Sequence, residues 1–99
     1  MSGLMQIDPV AMDSAASRCD ALASRLEECR LEAIAINDSL QDCYKGASAQ
    51  AFYDFITQTA APILYDTADM CTQTARGIRH TLDQFTQADT TLAGVFNAQ

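Results

Sequence analysis

Residues 44–52 read Tyr-Lys-Gly-Ala-Ser-Ala-Gln-Ala-Phe, and nothing else in the 99 residues looks like a break between elements. Long stretches with helical periodicity lie on both sides. The stretch therefore reads as the bend of a helical hairpin, spanning residues 44–48. Gly46 suits the left-handed backbone that a helix C-cap wants, so it is expected to end the first helix. Ser48 is a suitable N-cap for the second. Tyr44 and Gly46 are taken as the defining residues of the bend.

Working back from the bend, a seam of apolar residues runs in alternating steps of three and four: Met12, Ala15, Cys19, Leu22, Leu26, Cys29, Ala33, Ile36, Leu40, Cys43. That is a heptad stripe. Arg18, Arg25, Asp13, Asp20, Glu27, Glu28 and Asp38 fall off it. Asp8-Pro9 reads as the helix start, with Asp8 as N-cap and Pro9 at the first position, where a missing N–H costs nothing. Ile7 and Met12 occupy the two positions of a hydrophobic staple. Residues 1–7 form a short lead. Helix one thus covers about residues 9–43, roughly 50 Å at about 1.5 Å per residue.

Working forward, helix two covers about residues 49–92. Its first part carries Phe52, Phe55, Ile56, Ile63 and Leu64, and its later part Cys71, Ala75, Ile78, Leu82, Phe85 and Leu92. Pro62 lies inside. It removes a backbone donor and clashes with the carbonyl of Gln58, so a kink is expected there. Two separate helices meeting at Pro62 is the alternative. Folding at residue 45 sets residue 10 opposite about residue 80. Everything beyond, including Leu82, Phe85, Asp89 and Leu92, then overhangs with no partner in the chain.

Composition agrees with one all-α domain over residues 1–99. Hydrophobic content is 48%, with only four Gly and two Pro, so neither a disordered tail nor a turn-rich sheet fits. The net charge of −7 argues against nucleic acid and against anionic membrane surfaces. No apolar run approaches the roughly 20 residues of a membrane span. Met1 to Gln6 carries no positive side chain and no apolar block, so no cleavable secretory signal is expected. The cysteines, at 19, 29, 43 and 71, form no C-x-x-C pair, and His80 is the single histidine, so no metal site is expected. Reflection about residue 45 sets Cys19 level with Cys71 on the seams, which makes them candidates for a disulfide after oxidation. No carboxylate pair, nucleophile–base set or phosphate loop suggests catalysis, and no cofactor is expected.

Two helices burying one stripe each make a thin core. Apolar residues are left over: Leu31, Ile34 and Ala35 off the seam of helix one, and Phe52, Phe55 and Ile56 on helix two. Burying such a side chain contributes roughly 1.5–3 kcal/mol. These residues are therefore the expected interface for another helical chain, two hairpins together forming a four-helix bundle.

The pattern resembles the WXG family of small proteins exported by type VII secretion systems. The resemblance covers nearly the whole chain. In that family the bend is Trp-x-Gly followed by small residues and an aromatic. Here Tyr44 stands in the place of the Trp, Gly46 matches the Gly, and Ala47, Ala49, Ala51 and Phe52 match the rest. The family also carries a late Tyr-x-x-x-Asp/Glu export signal. The matching place holds Phe-Thr-Gln-Ala-Asp, with Phe85 for the Tyr and Asp89 for the acid. Tyr65 to Asp69 is a second match, but it sits mid-hairpin beside Pro62, so Phe85/Asp89 is preferred. The Phe version resembles small helical partners of LXG-type toxins. The resemblance then implies a non-enzymatic adaptor that binds the helical N-terminal domain of a larger effector, contributes an export signal to the secretion ATPase, and is secreted from the cytoplasm. A free-standing secreted homodimer, or one formed with a sibling small helical protein, fits the same residues. A cytoplasmic coiled-coil structural or regulatory protein would rest on the heptad seam alone.

Overall fold

The computed structural model describes residues 6–97. Residues 1–5 of the expected lead lie outside the described residues. Helix α1 spans Pro9–Cys43. After the bend come α2 (Ala47–Phe55), a π-helical turn (Ile56–Ala60) and α3 (Ala61–Asn97). No strand occurs among the described residues. The two arms lie side by side as a hairpin of 79 × 24 × 16 Å.

Helix α1 starts as its first residues dictate. The Asp8 carboxylate accepts from the Ala11 N–H at 3.1 Å and Pro9 occupies the first turn. Its end corrects the sequence reading. Tyr44, in extended conformation, is the C-cap and its N–H donates to the Leu40 carbonyl at 2.8 Å. Gly46 instead caps the start of α2, with φ 114° and ψ −174°. That region is open essentially to glycine alone, and a side chain there would be strained by about 1–3 kcal/mol. Ser48 therefore lies inside α2, not at its cap.

The second arm holds a π turn ahead of Pro62. The Ala61 N–H donates to the Ile56 carbonyl, five residues back. Inserting one residue per turn in this way relieves the crowding that a proline brings to the preceding helix. It also resets which residues face α1. The inward positions step from Ala49 to Tyr53 to Ile56, jump five to Ala61, and resume through Leu64, Ala68 and Ala75. The Thr57 hydroxyl donates to the Tyr53 carbonyl at 3.0 Å within the loosened turn.

The core is built from small residues. Ala16 and Ala75 are both 0% exposed, and Ala23 and Ala68, seven residues on and seven back, are also buried. Alanine layers let helix backbones approach closely. Arg30 and then Asn37 continue the same row of α1, so its inner row is Ala16, Ala23, Arg30 and Asn37. The expected seam lies to one side of it. Met12, Cys19, Leu26, Ala33 and Leu40 are half-buried, but Ala15, Leu22, Cys29, Ile36 and Cys43 are exposed. The contact face is therefore rotated from the apolar seam by roughly 75°, at about 100° per residue.

Residues 40 and 52, 20 and 72, and 7 and 85 come together along the hairpin, each pair equidistant from Gly46. The fold point is thus one residue later than 45. The overhang is shorter than expected too: Ile7 and Pro9 share a groove with Leu82, Phe85 and Asp89, because the extended residues before α1 reach further than helix would. Leu82 and Phe85 are half-buried, while Leu92 and Val95 are exposed.

Candidate functional site

The hairpin has two unlike flanks. On one, Asp20 and Glu27 of α1 line an open trough with Tyr65, Asp69 and Thr72 of α3. Arg79 donates to Asp20 at 2.6 Å across the two helices. Both side chains lean toward their own helix N-termini, so in antiparallel helices they converge. The bond holds the Arg79 guanidinium above its usual range. Arg30 escapes its inner-row position in the same direction. It donates through Nε to Glu27 at 3.0 Å and lies 5.7 Å from the centroid of the Tyr65 ring. The Arg30 hydrogen bond holds the Glu27 carboxyl below its ordinary value.

The other flank is apolar and largely uncovered. Its centre is the row Ala15, Leu22, Cys29, Ile36, Cys43, with Leu22 45% and Ile36 50% exposed. Beside it run the half-buried Cys19, Leu26 and Leu40 of α1 and Leu64, Cys71 and Ile78 of α3. Near the bend, Leu40, Tyr44, Ser48 and Phe52 line a shallow apolar groove. Tyr44, in the place of the motif Trp, is thus part of this surface as well as the cap of α1. Further out, Phe55, Ile63 and Met70 expose more than half of their area.

The expected interface residues are not brought together. Ile34 joins Arg30, Asp38, Tyr53, Thr57 and Pro62 on the polar flank. Leu31 and Ala35 are exposed on the back of α1. Phe52 lies with Leu40 and Tyr44 on the apolar flank, and Phe55 is exposed. Ile56 is a correction: it is 8% exposed and belongs to the hairpin's own core, because it lies seven residues after the buried Ala49 on the same helix face. The exposed Leu22 row was missed as an interface because it was counted into the intrachain seam.

All four cysteines are free thiols, Cys19 and Cys71 half-buried and Cys29 and Cys43 exposed. Folding about Gly46 sets Cys19 level with Gln73, so the suggested pair is about two residues, roughly 3 Å, out of level. Phe85 and Asp89 lie one turn apart at the open end of the hairpin, in one groove with Ile7. Tyr65, of the alternative signal, is occupied by Arg30. No group of side chains able to hold a metal ion occurs among the described residues, and no described helix is long and apolar enough to cross a membrane.

One family model, WXG100, proteins of 100 residues with WXG, matches residues 4–90. No curated protein and no solved structure matches the chain.

Proposed function

This chain belongs to the WXG100 family, the proteins of 100 residues with WXG, and we propose that it is a non-enzymatic type VII secretion substrate exported as two paired hairpins. Members of the family are small helical secretion proteins that typically form helical dimers. The observation that carries the reading is the uncovered row of α1. Leu22 and Ile36 stand exposed on a flank whose remaining positions are apolar or small. Covering a side chain of that size contributes roughly 1.5–3 kcal/mol. A second hairpin laid on this flank supplies the core that the single hairpin lacks. In the leading reading that hairpin is a second copy of the chain.

Phe85 and Asp89 are the proposed export signal, read by the secretion ATPase. Ring and carboxylate share one helix face at i and i+4. They stand at the end of the hairpin away from the bend, where a receptor can reach them. Asp89 is exposed, so Asp89→Ala should leave pairing in solution unchanged. Export from cells with an active secretion system should fall at least tenfold. Unchanged export would remove Phe85 and Asp89 from the reading.

The Phe in place of the signal Tyr favours a second reading, the adaptor that binds a larger effector's helical domain and targets it for export. Light scattering on the purified chain with reductant separates the two. A stable dimer supports self-pairing. A monomer that pairs only when an effector domain is added supports the adaptor.

A further inference from the structure

The uncovered row has a mirror arrangement about its middle residue. Cys29 is the third of five positions, Leu22 and Ile36 lie one heptad to either side, and Ala15 and Cys43 two heptads away. A two-fold axis through Cys29, perpendicular to α1, would set Leu22 of one copy on Ile36 of the other, twice. Cys29 would meet its own equivalent.

The charges along the rim of this row follow the same symmetry. Arg18 and Arg25 border the N-terminal half, where they line one groove with Cys19 and Leu22. Glu32 is exposed by the C-terminal half. In antiparallel helices related by such an axis, like flanks meet, so Arg25 of one copy lies beside Glu32 of the other, again twice. An isologous contact needs this self-complementarity. In a parallel arrangement opposite flanks of the two helices would meet, so Arg25 and Glu32, which share one flank, would not pair across the contact. Resting on the self-pairing reading above, we propose that Cys29 sits on the two-fold axis of an antiparallel homodimer, where an intersubunit Cys29–Cys29 disulfide can lock the pair.

The co-reactant is a small-molecule disulfide. The Cys29 thiol of one copy loses its proton and attacks that disulfide, releasing one reduced small thiol and leaving a mixed disulfide. The Cys29 thiolate of the second copy then attacks the protein sulfur and releases the other small thiol. Two protein thiols are oxidised and one small disulfide is reduced to two thiols, so protons and electrons balance. The two Cβ atoms must come within about 3.5–4.5 Å, which helices touching along this row at a shared level permit.

The test combines mass in solution under reductant with cross-linking in oxidised glutathione. The expected result is a reductant-resistant dimer that oxidised glutathione converts to a covalent dimer. Peptide mapping should then find Cys29 joined to Cys29. Cys29→Ser should lose the cross-link and keep the dimer, and Cys43→Ser should keep both. A dimer that stays uncrosslinked, or that crosslinks through another cysteine, overturns the placement of the axis and leaves self-pairing standing. A monomer under reductant overturns both.

Discussion

Two adjacent rows of α1 invert the usual assignment of side chains to inside and outside. The inner row, Ala16, Ala23, Arg30 and Asn37, faces the other arm of the hairpin. The outer row, one residue earlier at each step, is Ala15, Leu22, Cys29 and Ile36, and it faces solvent. Asn37 is 1% exposed, and its Oδ1 finds no partner among the described residues. The large aliphatic groups are outside and a buried amide is inside. Hydrophobic area alone would have favoured the opposite rotation. The small residues decide it: alanines on both arms let the backbones meet along the inner row. The outer row is left for a partner, so the fold of one chain and the cover of its apolar side chains are separate events.

The largest test of this contrast is to fill the inner layer. Ala16→Leu and Ala75→Leu, at two fully buried positions, should each destabilise the hairpin by about 1–3 kcal/mol and by more when combined. Thermal unfolding followed by circular dichroism reads this directly. Leu22→Ser, on the outer row, should change the stability of the unpaired chain by at most about 0.5 kcal/mol, while weakening pairing measured by light scattering. Equal effects of the inner and outer substitutions on the unpaired chain would end the comparison.

Much of the hairpin was legible in the sequence, and the rotation was not. Alternating steps of three and four identify a helix, and Asp8-Pro9 marks its start through a cap that depends only on neighbouring residues. The phase of packing is different. Ala16 and Ala23 stand one residue after Ala15 and Leu22, and a hydrophobicity pattern favours the larger groups. Only the matching alanines at 68 and 75, which lie 45 and 59 residues beyond Ala23 and Ala16, reveal the other choice. The π turn was hidden for a related reason. Pro62 announces a disturbance, but whether the helix bends, stops or gains a residue depends on what must face α1. Ile56, inward by its spacing from Ala49, stands just before that extra residue, which brings Ala61 inward after it. At the candidate site, the placing of Phe85 and Asp89 at the open end was readable, but the contact with Ile7 depends on how far an extended lead reaches. The exposed row was recognisable as apolar and wrongly spent on the intrachain seam.

A smaller effect should come from Asn37. Replacing a buried group that lacks a partner by an apolar one of similar volume removes a desolvation penalty, so Asn37→Leu should stabilise the hairpin by about 1 kcal/mol. A buried polar residue in a helical interface can also fix register. The substitution should then make the inner row indifferent to slipping by a heptad. Denaturant unfolding measures the first effect, and distances between spin labels on α1 and α3 measure the second. A destabilised variant would show that the amide makes a bond that the inner row needs.

The smallest expected effect concerns the charge on the inner row. Arg30 holds the Glu27 carboxyl below its ordinary value of 4.5. A carboxyl depressed in the folded state binds its proton more readily when unfolded. Its contribution is therefore complete above the unfolded value and is lost as pH falls through the folded one. The pair is partly open to water, so the effect is small. The unfolding midpoints of the native chain and Glu27→Gln should differ slightly at neutral pH and converge as pH falls through the depressed value of the folded carboxyl. A difference that persists in acid would mean that Glu27 acts through packing in the trough beside Tyr65. In that case the Tyr65 ring, and not charge, would hold the Arg30 guanidinium on the polar flank.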